Sequence, residues 1–537
     1  MSTIIKQFDK RSGLTYAYES VSYWDKEKQQ GRSKRKYLGR WDEETGQIIP
    51  TKGRRNKKKQ EEAQETQATQ VDTSSLEISR KFYGATYLLE SIGKSIGVTE
   101  DLKTCFPDTY KQILSLAFYL ILEPDSPMHR FEKWGLTHKH PYGKNISSER
   151  STTIFSEITD RQRSEFFQLQ GRRRTKEEFL AYDTTSISSY SETLNQVQYG
   201  INKENDKLPQ LNLALVFGEE SNLPFYYRKL PGNITDVVTV ENLLEDLNEL
   251  GFTKVKLVMD RGFYSEKNIN HLFKRRTKFL IAAKSSTKFI RQKIDKVRDE
   301  INNFEHFLIN YDHYGMTSLG EWNYVQERPQ KGDVLKEKRR LYLHIYYNKM
   351  KATEAEMALD REIYTLRTEL ESGNRQKENS TKYTKYFDIK TTPKRGTKAT
   401  VKEDVVKHEK QYTGYFVLVS NQSLKTDVAL NIYRNKDVVE KAFGNLKERL
   451  SMRRMLVSSE QSLNGKLFVQ FIALIFMSHL KKMMQEQELF SKYTMHTALD
   501  KLDIIELYEN PGNKPRVSEI TERQKILFMQ LGVEPPQ

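Results

Sequence analysis

Five short apolar runs between residues 179 and 283, each of strand length, constrain this chain more than anything else in it. Phe179–Thr185 (FLAYDTT), Leu211–Phe217 (LNLALVF) and Leu223–Lys229 (LPFYYRK) come first. A helical pattern follows over Asp236–Leu250, stopped by Gly251. Next come the run Val255–Asp260 (VKLVMD), a second helix opened by Ser265 as N-cap, and Phe279–Ala283 (FLIAA). Antiparallel strands followed by helix–strand alternation predict a mixed α/β sheet. Residues 285–410 interrupt it with Lys-, Glu- and Thr-rich sequence, including strand-like Met316–Gln326 and Arg340–Asn348 and a charged helix over Thr353–Glu371. The core resumes at Gly414–Ser420 (GYFVLVS), and helices follow from Thr426 and over 463–485.

The flanks divide the rest. Residues 1–60 hold 16 Lys/Arg against 7 Asp/Glu. Strand-like Thr15–Trp24 and Lys36–Trp41 lead there to the run Arg54–Lys59, so a basic N-terminal β element is expected. Aromatics interleaved with cations suit nucleic acid; a hairpin with a charged outer face suits the pattern equally. Residues 61–75 read as a polar linker, 76–175 as a helical domain, 176–284 and 411–490 as two parts of the core, 285–410 as an insertion and 491–537 as a helical tail. The net charge of +16 fits a nucleic-acid partner or a solvated Lys-rich surface. The longest apolar run, Leu467–Leu480, is shorter than the roughly 20 residues a bilayer needs and contains Gln470 and His479; it reads as a buried helix, with no membrane role. The sequence MSTIIKQFDK lacks an apolar signal core, and the single Cys105 leaves no disulfide framework. A cytoplasmic, nucleoid-associated protein is expected. His138 and His140 have no further ligands at metal spacing and read as ordinary loop histidines.

Two carboxylates stand out. Asp183 interrupts one apolar strand and Asp260 ends another, and a carboxylate there is costly unless paired or metal-bound. Ligands gather at strand ends in α/β sheets. Taken singly, each aspartate is explained by capping, a turn or an arginine partner. The helix Ile432–Leu450 adds a third group. With Tyr433 set at zero and about 100° per residue, Lys436 falls at about −60°, Glu440 at about −20° and Lys447 at about −40°. One stripe therefore carries a carboxylate, two ammonium groups and a phenol beside an apolar face. A solvated ion-pair stripe has the same look. Three oxygen ligands without a Cys or His cluster suit two Mg²⁺ ions, with Mn²⁺ able to substitute, for in-line attack at phosphorus. Lys436 and Lys447 would hold the neighbouring phosphate.

The order Asp183, Asp260, Glu440 resembles the DDE transposases. Tyr433, Lys436, Glu440 and Lys447 resemble the Y-x2-R-x3-E-x6-K signature of the insertion-sequence-four-like class, with Lys436 in the place of the usual Arg. GYFVLVSN, DRGFYS and SYWDKEKQQGRSKRKYLG resemble the insertion sequence 1634 group. The resemblance spans essentially the whole chain. It implies an RNase H-like mixed-sheet catalytic core with a β-rich insertion, preceded by the N-terminal β element and a helical DNA-binding domain. It also implies cleavage at transposon ends and strand transfer in cut-and-paste transposition, with Asp183, Asp260 and Glu440 as catalytic metal ligands and Tyr433, Lys436 and Lys447 against DNA phosphate. The implied partners are terminal inverted repeats, target DNA and a second copy of the chain in a synaptic homodimer. Some relatives stack an insertion aromatic on a flipped base, which singles out Trp322; a packed strand Trp is the competing reading. The alternatives are a catalytically inactive transposase-derived DNA-binding protein and an RNase H-like metal-dependent nuclease.

Overall fold

A computed structural model of the chain describes residues 2–9, 14–25, 30–42, 46–49, 79–124, 126–173, 178–189, 196–200, 208–234, 236–327, 333–393, 396–450, 454–455, 459–510 and 512–537. They fall into two compact units, Met1–Glu77 and Ile78–Gln537. The run Arg54–Lys59 and the linker 61–75 lie outside the described residues.

The first unit is an antiparallel sheet of β1 (Ser2–Asp9), β2 (Leu14–Asp25), β3 (Gln30–Trp41) and β4 (Ile48–Ile49), in sequence order. Alternation places Tyr16 and Tyr18 on one face of β2, where the Tyr37 ring meets both at 6.0 and 5.5 Å. The strands around the two segments expected from sequence are longer, and β1 is an addition.

In the second unit, β5 (Ser79–Phe82) leads into six helices: α1 (Gly84–Ser95), α2 (Val98–Cys105), α3 (Tyr110–Leu122), α4 (Phe131–Thr137), α5 (Ser148–Glu157) and α6 (Asp160–Arg172). The core sheet then starts with β6 (Leu180–Ser189), β7 (Gln210–Gly218) and β8 (Pro224–Pro231). It continues through α7 (Asp236–Glu249), β9 (Lys256–Met259), α8 (Glu266–Lys274) and β10 (Lys278–Ala282). Strands β6, β9 and β10 run parallel to one another, and β7 and β8 extend the sheet antiparallel beyond β6. Burial on both faces explains why the central strands are unbroken apolar runs rather than alternating ones.

The insertion starts with α9 (Lys288–Val297), β11 (Phe307–Leu308), β12 (His313–Glu327) and β13 (Val334–Tyr347). It then forms α10 (Lys349–Glu371), α11 (Ser380–Tyr386), β14 (Phe387–Thr392), β15 (Gly396–Val401) and α12 (Glu403–Lys410) before β16 (Tyr415–Ser420). It is not uniformly β-rich. Its first half joins the main sheet, because β13 pairs with β16 and presents buried Leu341, Leu343 and Ile345 to the core. The sheet order becomes β11-β12-β13-β16-β10-β9-β6-β7-β8, with β17 (Arg454–Met455) beside β6. The second half is mostly helical. It gathers its own small core around Leu366, Leu370, Tyr383 and Phe387.

After β16 come α13 (Thr426–Asn435), α14 (Asp437–Gly444), α15 (Glu460–Glu486), α16 (Met495–Asp503), β18 (Glu506–Glu509), β19 (Arg516–Val517) and α17 (Glu522–Gln530). Helix α15 has the length and composition to cross a membrane, but 83% of its apolar stretch is buried within the protein. It crosses α5 at Gly465, where a Cβ would stand 2.0 Å from the Phe155 carbonyl oxygen. The C-terminal segment closes on the helical layer. β18 pairs with β5, the N–H groups of Tyr83 and Gly84 donate to the Ile505 carbonyl, and His138 Nε2 lies 3.0 Å from Asp503. His138 stacks on Trp134, and His140 contacts Ser115 Oγ at 2.9 Å. These histidines are buried packing residues, and burial lowers the His140 pKa to about 4.

Candidate active site

The site begins with register. Strands β6 and β9 pair in parallel as far as Tyr182–Met259, so Asp183 and Asp260 are the next residues on two adjacent strands. At the usual strand spacing this sets their backbones roughly 5 Å apart. The Asp183 carboxylate accepts the Thr184 N–H at 2.8 Å. Asp260 ends its strand where the chain turns into Arg261–Phe263. The Phe263 ring packs at 5.1 Å from Tyr182, and Ser265 caps α8 by accepting the Asn268 N–H. Packing below and a cap above fix the turn that carries Asp260.

Two helices close over this edge. α13 packs on β9 and β10, and α14 on β6 and β7. The Tyr433 hydroxyl on α13 donates to Asp260 Oδ1 at 2.7 Å. Lys436 stands between the helices and is 2% exposed; its Nζ donates to Glu440 Oε1 at 3.0 Å. Glu440 lies at the rim, its side chain 56% exposed. A buried ammonium is costly unless paired. Burial pushes the Lys436 pKa down, but the hydrogen bond to Glu440 and the fields of Asp260, Glu440 and Asp183 lift it above its ordinary value. Lys436 thus pairs with Glu440 and lies in the field of both aspartates. Burial pushes Asp260 up, but the Tyr433 hydroxyl, Lys436 and the Arg261 N–H together hold it below its ordinary pKa, so it is ionised at neutral pH. Burial and Asp260 raise the Tyr433 phenol, which remains a hydrogen-bond donor.

Tyr433 and Lys436 contact the carboxylates of Asp260 and Glu440 in this structure. Among the described residues no three His, Cys, Asp or Glu side chains are gathered closely enough to hold a metal ion as they stand; Glu440 is engaged by Lys436. The helix is also not continuous. It breaks at Lys436, and residues Asn445–Arg449 form a wider turn with a five-residue repeat, so the 3.6-residue repeat is not kept through Lys447. The Trp322 indole N–H donates to Asn270 Oδ1 at 2.8 Å, and its ring meets Phe289 edge-on at 6.0 Å. It is a half-buried strand residue in β12. The direct bond between Tyr433 and Asp260 has no sequence signal beyond the shared Tyr433–Glu440 stripe.

The family model described as the transposase DDE domain matches residues 174–476, which include both aspartates, the two closing helices and the insertion between them. No curated protein matches the chain. Among solved structures, the cryo-EM structure of the piggyBac transposase synaptic complex with hairpin DNA aligns with 9% identity and a TM-score of 0.36, covering 78% of this chain and 77% of that one. A likeness that distant carries no argument. The matched family model spans more than half of the sequence, and the chain belongs to the DDE transposase family.

Proposed function

We propose that this chain is a cut-and-paste DNA transposase of the insertion-sequence-four-like class, insertion sequence 1634 group, with an RNase H-like core. It acts as a synaptic dimer in the cytoplasm, on terminal inverted repeats and target DNA. The observation that supports this reading is the parallel register that sets Asp183 beside Asp260, with Lys436 on the covering helices paired to Glu440 and in the field of both aspartates. An aspartate within one strand beside an aspartate that ends its parallel neighbour, with a glutamate on the covering helix, supports metal-dependent chemistry at phosphorus.

The donor set fits magnesium. All three groups are hard oxygen ligands, Asp260 is held ionised, and the site already balances its negative charge with a buried cation. Asp183, Asp260 and Glu440 would hold Mg²⁺, which supplies an activated water or 3′-hydroxyl and stabilises the leaving oxygen. The protein's own residues prepare that site. Tyr433 orients Asp260 by donating to its Oδ1. Lys436 offsets the charge of the carboxylates, and Glu440 can exchange its ion pair for a metal ligand at the solvent rim. The basic N-terminal sheet and the helical layer bind the inverted repeats.

The test is Mg²⁺-dependent cleavage of duplex DNA carrying the element's ends, followed by joining of a pre-cut 3′ end. Asp183→Asn, Asp260→Asn and Glu440→Gln are each expected to lose at least about a thousandfold in cleavage while retaining DNA binding, as loss of a transition-state charge stabiliser implies. Near-normal cleavage by any one variant removes that residue from the site. Binding without nicking by the wild type indicates an inactive derivative, and hydrolysis without joining indicates a nuclease.

A further inference from the structure

The long helix of the insertion keeps one face uncovered. α10 buries Ile363, Leu366 and Leu370 in the small core of the insertion's second half. On a helix turning about 100° per residue, with Met357 set at zero, these three point between about 180° and 240°. Met350, Glu354, Met357, Arg361, Tyr364 and Thr368 fall between about −20° and +60°, on the opposite side. Their alternating spacing of four and three residues is the heptad pattern of a helix seam. The large members of the seam are turned to solvent: Met350 is 74% exposed, Met357 51% and Tyr364 74%.

The stripe also carries one carboxylate and one guanidinium, Glu354 and Arg361, and neither has an ion pair among the described residues. The charges to either side are engaged, Asp360 with Lys410, Glu362 with Lys382 and Arg367 with Glu371. Glu354 and Arg361 are two turns apart, about 10.5 Å along the axis, too far to meet within one helix. A row of exposed apolar side chains rimmed by charge marks an interaction surface.

We propose that this stripe pairs, antiparallel, with the same stripe of a second copy of the chain. A two-fold contact sets residue i against j and j against i. With the axis between Met357 and Ala358, Glu354 of each copy stands against Arg361 of the other, and Tyr364 of each against Met350 of the other. The two Met357 side chains meet near the axis, where Ala358 leaves room. Glu354 and Arg361 lie on the same edge of the stripe, and an antiparallel two-fold brings like edges together. A parallel pair in register would set Glu354 against Glu354 and Arg361 against Arg361, so the charges select the antiparallel one. The second copy is that of the synaptic dimer under the proposed function. The contact itself needs neither DNA nor metal, and its failure leaves the roles of Asp183, Asp260 and Glu440 untouched. One helix pair is at the small, transient end of protein interfaces, and two copies bridged by DNA gain from their raised local concentration.

Sedimentation equilibrium over a concentration series measures self-association of the full-length protein without DNA. The proteins are the wild type, Glu354→Arg, Arg361→Glu, the double exchange Glu354→Arg/Arg361→Glu, and an equimolar mixture of the two single variants. Each single variant sets like charges together at both symmetric positions, and its association is expected to weaken at least about tenfold at low salt. The double exchange and the mixture restore opposite charges at both positions and are expected to associate like the wild type, which excludes misfolding as the cause of the loss. Single variants that associate like the wild type overturn the proposal, as does a mixture no tighter than its components or a wild type that stays monomeric throughout. A photoreactive side chain at position 357 that cross-links to another segment of its own chain, or to added DNA, assigns the stripe to that occupant and also overturns it. Asp260→Asn is expected to keep wild-type association, so a failed cleavage test and a failed association test are read separately.

Discussion

Replacing Lys436 with methionine separates its charge from its packing. The side chain keeps its length and its burial, but Asp260, Asp183 and Glu440 lose the cation between them. Breaking a buried ion pair by removing one partner costs about 3–5 kcal/mol. Glu440 is 56% exposed and regains water, so the lower end, about 3 kcal/mol, applies. Unfolding entropy of about 2.1 cal/mol/K per residue gives about 1 kcal/mol/K for a cooperative unit the size of Ile78–Gln537. Tm should therefore fall by about 3 °C without metal. Adding Mg²⁺ should reverse the difference, since a divalent ion supplies the missing charge and a ligand specific to the native state stabilises by RT ln(1 + [L]/Kd). Scanning calorimetry with and without Mg²⁺ reads both effects. A variant as stable as the wild type, or one whose Mg²⁺-induced shift does not exceed that of the wild type, refutes the account of Lys436 as the counter-ion of a metal site.

Tyr433→Phe removes the 2.7 Å bond to Asp260, a hydrogen bond to a charged group worth about 1.5–3 kcal/mol. Because the folded pKa of Asp260 is depressed, its contribution to stability is present above the ordinary value of 3.8 and is lost as pH falls through the folded one. The variant should begin acid unfolding at a higher pH than the wild type, as followed by circular dichroism. Gly465→Ala drives a methyl into the Phe155 backbone and should cost about 1–3 kcal/mol or more in denaturant titrations, the crossing of α15 over α5 being too close for side-chain adjustment to relieve it. Trp322→Phe loses the bond to Asn270 and should cost about 1 kcal/mol. A loss of hairpin processing well beyond that at saturating DNA would assign the ring to a flipped base.

The central sheet was legible because β9, β10 and β16, with the start of β6 and most of β7, are buried and carry apolar runs. Asp183 and Asp260 were legible as the polar residues that interrupt or end two of those runs. Their adjacency was not, since it depends on the parallel pairing of Tyr182 with Met259, a contact between residues far apart in sequence. The joining of β13 to β16 was hidden for the same reason. The outer half of β13, Val334–Arg340, is charged and largely exposed, and only Leu341–Tyr346 carries the core signal. A break of one residue at Lys436 hardly alters the direction of the helix between Tyr433 and Glu440, whereas the wider turn at Asn445–Arg449 changes the repeat around Lys447, and neither irregularity has a sequence signal. Burial of Lys436 could not be read from its type, because lysine normally carries its charge to solvent.

Iron-mediated backbone cleavage tests the central claim most directly. Fe²⁺ loaded in place of Mg²⁺ generates hydroxyl radicals that cut the chain near the bound ion. Cuts clustered around residues 183, 260 and 440, and suppressed by excess Mg²⁺, are the predicted result. Cuts confined to other acidic segments, or a pattern unchanged in Asp183→Asn/Asp260→Asn, would contradict the account.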